Sequence, residues 1–200
     1  EDAFLIAAFK PPFLLVHDDG NDQDTLQARI NGYLQLNGNK YPAQAIHRID
    51  YETSGLVLFC KHPFFQAYCD KNMEEHHIKK EYIALVQGHT NYKNKKIISN
   101  IARDRHNAKK MIIHPNGKES VSIFNTLKNY KDCSLIQVTI LTGRKHQIRV
   151  QCASLNHPIL NDPLYGGKKI DNTGLLLQSH HIQFNDVDIT CPQEKRFIRK

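Results

Sequence analysis

Three short segments hold the residues able to do chemistry. The first is His47-Arg48-Ile49-Asp50-Tyr51-Glu52-Thr53-Ser54-Gly55. A short apolar stretch delivers Asp50 into a turn whose Thr, Ser and Gly can hold it, and such turns on rigid strands are common places to present reactive groups. A carboxylate there can serve as a nucleophile or a base, and it can equally be a plain turn residue. The second segment is Lys80-Glu81-Tyr82-Ile83-Ala84-Leu85-Val86, with Tyr82 on an alternating strand where the pattern alone makes it a half-buried core aromatic. The third is Thr142-Gly143-Arg144-Lys145-His146-Gln147-Ile148-Arg149-Val150, continued by Asn156-His157-Pro158-Ile159-Leu160-Asn161-Asp162-Pro163-Leu164-Tyr165-Gly166. Lys145 and Arg149 are four apart and would share one face of a helix, which by itself reads as a solvated basic face. A glycoside or nucleoside hydrolase usually sets two carboxylates across the scissile bond. Here Glu52 is the only second carboxylate in these motifs near Asp50, two residues away in the same turn.

The elements that must position these residues follow from pattern. Phe4–Phe9 and Phe13–Val16 read as strands separated by Lys10-Pro11-Pro12. Asp24-Thr25 offers an N-cap for a helix carrying Leu26, Ile30, Tyr33 and Leu34, which stops at Gly38. Ala45–Arg48 and Gly55–Cys60 read as strand pieces around the Asp50 turn. A helix opens at Pro63, with Phe65, Cys69, Met73 and His76 along one face, and residues 81–87 form the strand of Tyr82. Residues 90–118 are the most basic and the least structured by pattern. Val121–Leu127 and Leu135–Leu141 resume strand character, and a helix is expected from Lys145 to Leu155. Leu175–Leu177, Ile182–Phe184 and Val187–Ile189 read as closing strands. Strands outnumber helices, so the expected fold class is α+β: one domain over residues 1–200 with a mixed, mostly antiparallel central sheet and flanking helices.

Composition narrows the partner. Lys and Arg exceed Asp and Glu by 27 to 20, giving a net charge of +7 and a pI near 9.1. That surplus suits a polyanion, because every neutralised phosphate releases counterions. The five cysteines are odd in number and scattered, with no Cys-x-x-Cys and no His-Glu-x-x-His, so neither a disulfide framework nor a bound metal is expected. No stretch reads as a membrane span, and a reducing cytoplasmic setting is expected for a monomeric protein.

Taken together and in this order, the segments resemble the signatures of the RluA family of pseudouridine synthases. The stretch from Lys10-Pro11 to His17 resembles that family's opening strand-turn-strand, so the likeness runs from about Phe9 to about Ile189. The resemblance implies isomerisation of uridine in ribosomal or transfer RNA, without a cofactor. It makes Asp50 the essential aspartate, Tyr82 the tyrosine that stacks on the target base, and Arg149 the salt-bridge partner of Asp50. Arg48 would fill the gap left by a flipped uridine, and one of the leucines at 175 to 177, taken as Leu176, would pack on the base. His47, Thr53, Arg144, His146 and Gln147, in the same motifs, are expected to contact substrate. An arginine beside the aspartate would favour its ionised form against the desolvation that burial imposes. Phe9 and Phe13 stand where the family more often shows Asn and Gly, and Gln151 where it shows His. The rival reading is an RNA-binding module that keeps this fold without activity.

Overall fold

The computed structural model describes residues 1–20 and 24–199. In chain order the elements are β1 (Leu5–Lys10), α1 (Leu26–Leu36), β2 (Gln44–Ala45), β3 (Ser54–Cys60), α2 (Pro63–Glu74), β4 (Lys79–Gln87), β5 (Lys95–Arg103), β6 (Met111–Ile113), β7 (Lys118–Asn129), β8 (Cys133–Ile140), α3 (Gln147–Ser154), β9 (Leu177–Phe184) and β10 (Val187–Thr190). Single 3-10 turns lie at Pro163–Tyr165 and Lys195–Phe197. All strands join one sheet in the order β1-β3-β9-β4-β8-β7-β5-β6, with β10 on β9 and β2 on β3. Among the described strands every pairing is antiparallel except β3 with β9, where Ser54 faces Gln178 and Gly55 faces Ser179. The class is the expected α+β.

Local chemistry explains the helices. Thr25 caps α1 by accepting the Ala28 N–H at 3.1 Å, and Gly38, with φ 78°, ends it. Leu26 and Leu34 are buried, whereas Tyr33 is exposed and reaches Glu1. Pro63 opens α2 at a position where its missing N–H has no intrahelical partner to lose. Cys69 points inward, while His76 lies beyond the helix end, exposed and left-handed. Strand β3 is buried on both faces: Val57 and Phe59 join the core under α1, and Leu56, Leu58 and Cys60 the core under α2.

Four expectations are corrected. Residues 90–118 hold strands β5 and β6, because backbone pairing of β5 with β7, and of β6 with β5, supports them where hydrophobic alternation is weak. Residues 13–16 form no strand; Leu15 makes one isolated bridge to Thr25 while Leu14 and Val16 plug the core. The α3 helix starts at Gln147 rather than Lys145, since His146 adopts φ 54°. Finally, β9 runs unbroken through Gln178-Ser179-His180-His181: the Gln178 amide donates to the Pro192 carbonyl and accepts from Glu194 N–H, so this buried polar side chain is paired in mid-sheet.

Candidate active site

The Asp50 turn sits where β3 and β9 begin to pair, and it is tied down on all sides. Thr53 N–H donates to the Asp50 carbonyl at 3.0 Å, Phe13 N–H to the Tyr51 carbonyl at 2.8 Å, and Leu175 N–H to the Glu52 carbonyl at 3.1 Å. Lys10, at the end of β1, has no exposed surface and donates Nζ to the carbonyls of Leu14, Pro11 and Tyr51 at 2.7, 2.9 and 3.1 Å. Burial pushes its ammonium down to about 8, while Asp50 and Glu52 pull the other way. Gly55 is required here: with φ 115°, a Cβ would fall 2.2 Å from the Ser179 carbonyl oxygen. Phe13, by contrast, occupies φ 62° with a side chain, its ring edge-on to Tyr51 at 5.9 Å.

The other half of the site comes from β4 and α3. Between Glu81 and Tyr82 the β4–β9 register slips by one residue, so Glu81 faces His181 and Tyr82 faces Ser179. Such bulges re-aim a side chain, and Tyr82 lines the cavity, almost wholly buried. Burial holds its phenol well above the ordinary value, the Ser179 side chain opposes this, and the Asp50 charge adds to it. Arg149 is not on a solvated face: it is 3% exposed, and its Nε and Nη2 donate to the fully buried Asp162 at 2.8 and 2.9 Å. That fork leaves Nη1 to reach Asp50 Oδ2 at 3.3 Å, with Glu52 Oε2 at 3.8 Å. Burial disfavours the Arg149 charge, yet the bonds and charge of Asp162, with Asp50 and Glu52, outweigh it and hold the group above its ordinary value.

These residues enclose a cavity of about 470 Å³, a size suited to a small planar ligand. Asp50, Tyr82, Arg149, Arg48, Thr53, Arg144, His146 and Gln147 all line it. Thr53 Oγ1 is buried and has no hydrogen-bond partner among the described residues, which leaves it to a ligand. Arg48 stands exposed between this cavity and a second groove lined by Leu15, Val16, His17, Tyr51 and Glu52, and it contacts His17 Nε2 at 3.3 Å.

Three positions differ from expectation. His47 does not line the cavity; its Nε2 accepts the Leu58 N–H at 3.2 Å, and burial followed by the Lys80 charge pushes the ring down to about 3. Leu177, not Leu176, faces the cavity, because alternation along the chain turns Leu176 into the opposite core beside Ile83 and Leu85. Gln147 reaches the wall, but its amide is used internally: Oε1 accepts from Thr142 Oγ1 and Arg144 N–H, and Nε2 donates to the Val121 carbonyl and Ser122 Oγ. Two residues that sequence reading missed are Lys10 and Asp162. Each had a signal: a lysine between two apolar runs, and an acid within the motif that follows Arg149.

Comparison with known proteins places this geometry. Residues 5–154 match the family described as RNA pseudouridylate synthase. The chain is 35% identical over 170 residues to a Bacillus subtilis (strain 168) protein named uncharacterized RNA pseudouridine synthase YhcT, covering 84% of this chain and 56% of that one. It is 31% identical over 224 residues to the ribosomal large subunit pseudouridine synthase D of Zymomonas mobilis, covering 100% of this chain and 70% of the relative. The solved structure of human RNA pseudouridylate synthase domain containing 4 shares the fold, with a TM-score of 0.81 at 19% identity, covering 98% of this chain and 88% of that one. The chain thus spans little more than half the length of the Bacillus relative.

Proposed function

The chain belongs to the RNA pseudouridylate synthase family, and from that premise we propose that it isomerises specific uridines to pseudouridine in structured RNA, with Asp50 as the catalytic carboxylate. The observation that carries this reading is Arg149, aimed by Asp162, directing its remaining nitrogen onto Asp50 at 3.3 Å in the cavity that Tyr82 lines. The reaction breaks the bond from ribose to base nitrogen, turns the base and rejoins it through carbon 5, which gives up its proton while the freed nitrogen gains one. Nothing is oxidised and no group departs, so an ionised carboxylate in a closed pocket suffices. Asp50 acts as nucleophile or base, with Arg149 Nη1 3.3 Å from its Oδ2.

The uridine must leave its stack to enter, at a cost of a few kcal/mol that base contacts offset. Tyr82 and Leu177 supply apolar walls for the base, and the unpartnered Thr53 hydroxyl a polar contact. A phenol held protonated by burial is a poor base, so Tyr82 serves as a wall of the pocket. Arg48, on the rim, is placed to occupy the gap left by the flipped base. The exposed Arg105 and Lys109, between β5 and β6, are placed to meet phosphates, which position RNA without reading its sequence. Ribosomal RNA is one substrate class, supported by the name of the Zymomonas relative, and transfer RNA is the other. The five cysteines are free and buried, which fits a reducing cytoplasm, and the isomerisation calls for neither metal nor cofactor.

The test is tritium release from bulk unmodified ribosomal and transfer RNA labelled at uridine carbon 5. Wild type should release tritium while Asp50→Ala releases none and keeps RNA affinity within a few-fold. Release by Asp50→Ala would remove that carboxylate from the mechanism. RNA binding without release from either protein would favour a binding module.

A further inference from the structure

Tyr165 stands behind the catalytic carboxylate, in the 3-10 turn after α3, and no step above uses it. Its hydroxyl meets two groups: the backbone N–H of Met111 on β6 at 2.8 Å, and Nδ1 of His146 at 2.8 Å. The Met111 amide can only donate, so the phenol oxygen accepts from it. The phenol has one proton of its own, and among the described residues His146 Nδ1 is the acceptor the structure gives it. A nitrogen that accepts carries no hydrogen, so the hydrogen of the imidazole must sit on Nε2. That nitrogen faces Asp50 Oδ2 at 3.8 Å.

We infer that Tyr165 is a positioning residue: by donating to His146 Nδ1 it fixes the tautomer that points an Nε2–H at Asp50. The inference rests on the reading of Asp50 as the working carboxylate. The opposite tautomer would set a ring lone pair against the carboxylate oxygen. The gap of 3.8 Å is too long for a hydrogen bond, and such contacts commonly tighten only when substrate is bound. Fixing one ring nitrogen by a bond to the other is a general way of setting what a histidine presents.

The surroundings keep the ring uncharged, so tautomer rather than charge is what Tyr165 controls. Burial pushes His146 down to about 4; Asp50 and Asp162 pull upward, while Arg149 and Lys145 push down further. Burial likewise raises the Tyr165 phenol, to about 12, and keeps its proton available to donate. The ring of Tyr165 also lies under Arg149, whose Cζ is 5.1 Å from its centre, with Lys110 Nζ at 5.7 Å. Phenylalanine would retain both of those contacts, so Tyr165→Phe removes the hydroxyl alone.

The experiment is long-range proton–nitrogen NMR on the full chain labelled with nitrogen-15 histidine at pH 7, with the His146 signal assigned by its loss in His146→Gln. Wild type should show hydrogen on Nε2 and none on Nδ1. Tyr165→Phe should shift His146 toward a mixture of tautomers and lower kcat about tenfold, with KM for RNA changed less than about threefold, as expected for losing one hydrogen bond that serves a charged group. In the His146→Gln background, Tyr165→Phe should cost little further. Hydrogen on Nδ1 in wild type, an unchanged tautomer in Tyr165→Phe, or equal losses in both backgrounds would overturn the inference. A wild-type chain that makes no pseudouridine in any RNA would sink the proposed reaction instead, and the tautomer in the free protein would still decide the direction of the Tyr165–His146 bond.

Discussion

The turn around Asp50 and the hairpin formed by β5 and β6 are both polar in sequence, and the fold holds them by different means. The turn is fixed from within: Lys10 gathers three carbonyls, Gly55 lets β9 approach, and Arg149 arrives already bonded to Asp162. The hairpin lies at the sheet edge, held by backbone pairing to β7, with Lys95, Lys96, Arg105 and Lys109 exposed. A polar segment whose side chains are spent on the fold can hold a reactive group still. One whose backbone alone is spent keeps its charges for a partner. Substitutions in the first should therefore damage stability and turnover together, whereas those in the second should touch only RNA binding.

The largest effect is expected from Asp162→Ala, which strands a buried guanidinium. Removing one partner of a buried pair costs about 3–5 kcal/mol, a large share of a typical folding free energy, and turnover should collapse with it. Urea unfolding midpoints and tritium release measure both; a loss below ~1 kcal/mol would mean that Arg149 does not depend on Asp162. Next is Lys10→Met, which keeps the apolar stem and loses three donors. It should destabilise by about 1–3 kcal/mol through carbonyls left unpaired, and lower kcat by up to about 100-fold if the turn shifts by an ångström. Unchanged kcat in a destabilised variant would show that the turn keeps its place without the lysine.

The hairpin double variant Arg105→Ala/Lys109→Ala should leave stability within about 0.5 kcal/mol and kcat unchanged. Its RNA affinity should fall, and its salt dependence should flatten by ~0.7 per lost phosphate contact. An unaltered salt slope would detach the hairpin from RNA binding and break the contrast. The smallest effect belongs to Phe13→Gly. Relief of the left-handed backbone, about 1–2 kcal/mol, is opposed by a lost edge contact with Tyr51 of about 0.5–1.5 kcal/mol, so thermal unfolding should shift little. A clear loss would make that ring part of what holds the Asp50 turn.

Sequence by itself determined the strand-rich class, the cap of α1, the alternation of Tyr82, Ala84 and Val86, and the order of the motifs around Asp50, Tyr82 and Arg149. Each depends on near neighbours: a capping hydroxyl, a period of two, or a short run of fixed residue types. Tertiary structure decided what depends on partners far along the chain. Strand β5 exists because β7 offers it a ladder, and β6 because β5 does, while Gln178 in the middle of β9 is paired by Pro192 and Glu194. Arg149 is buried rather than solvated because Asp162, 13 residues on, returns to meet it. Leu177 rather than Leu176 faces the cavity because a single residue of register turns a side chain to the other face of a sheet. Local pattern fixes which residue types recur, while burial and pairing, which are long-range, fix where each side chain points.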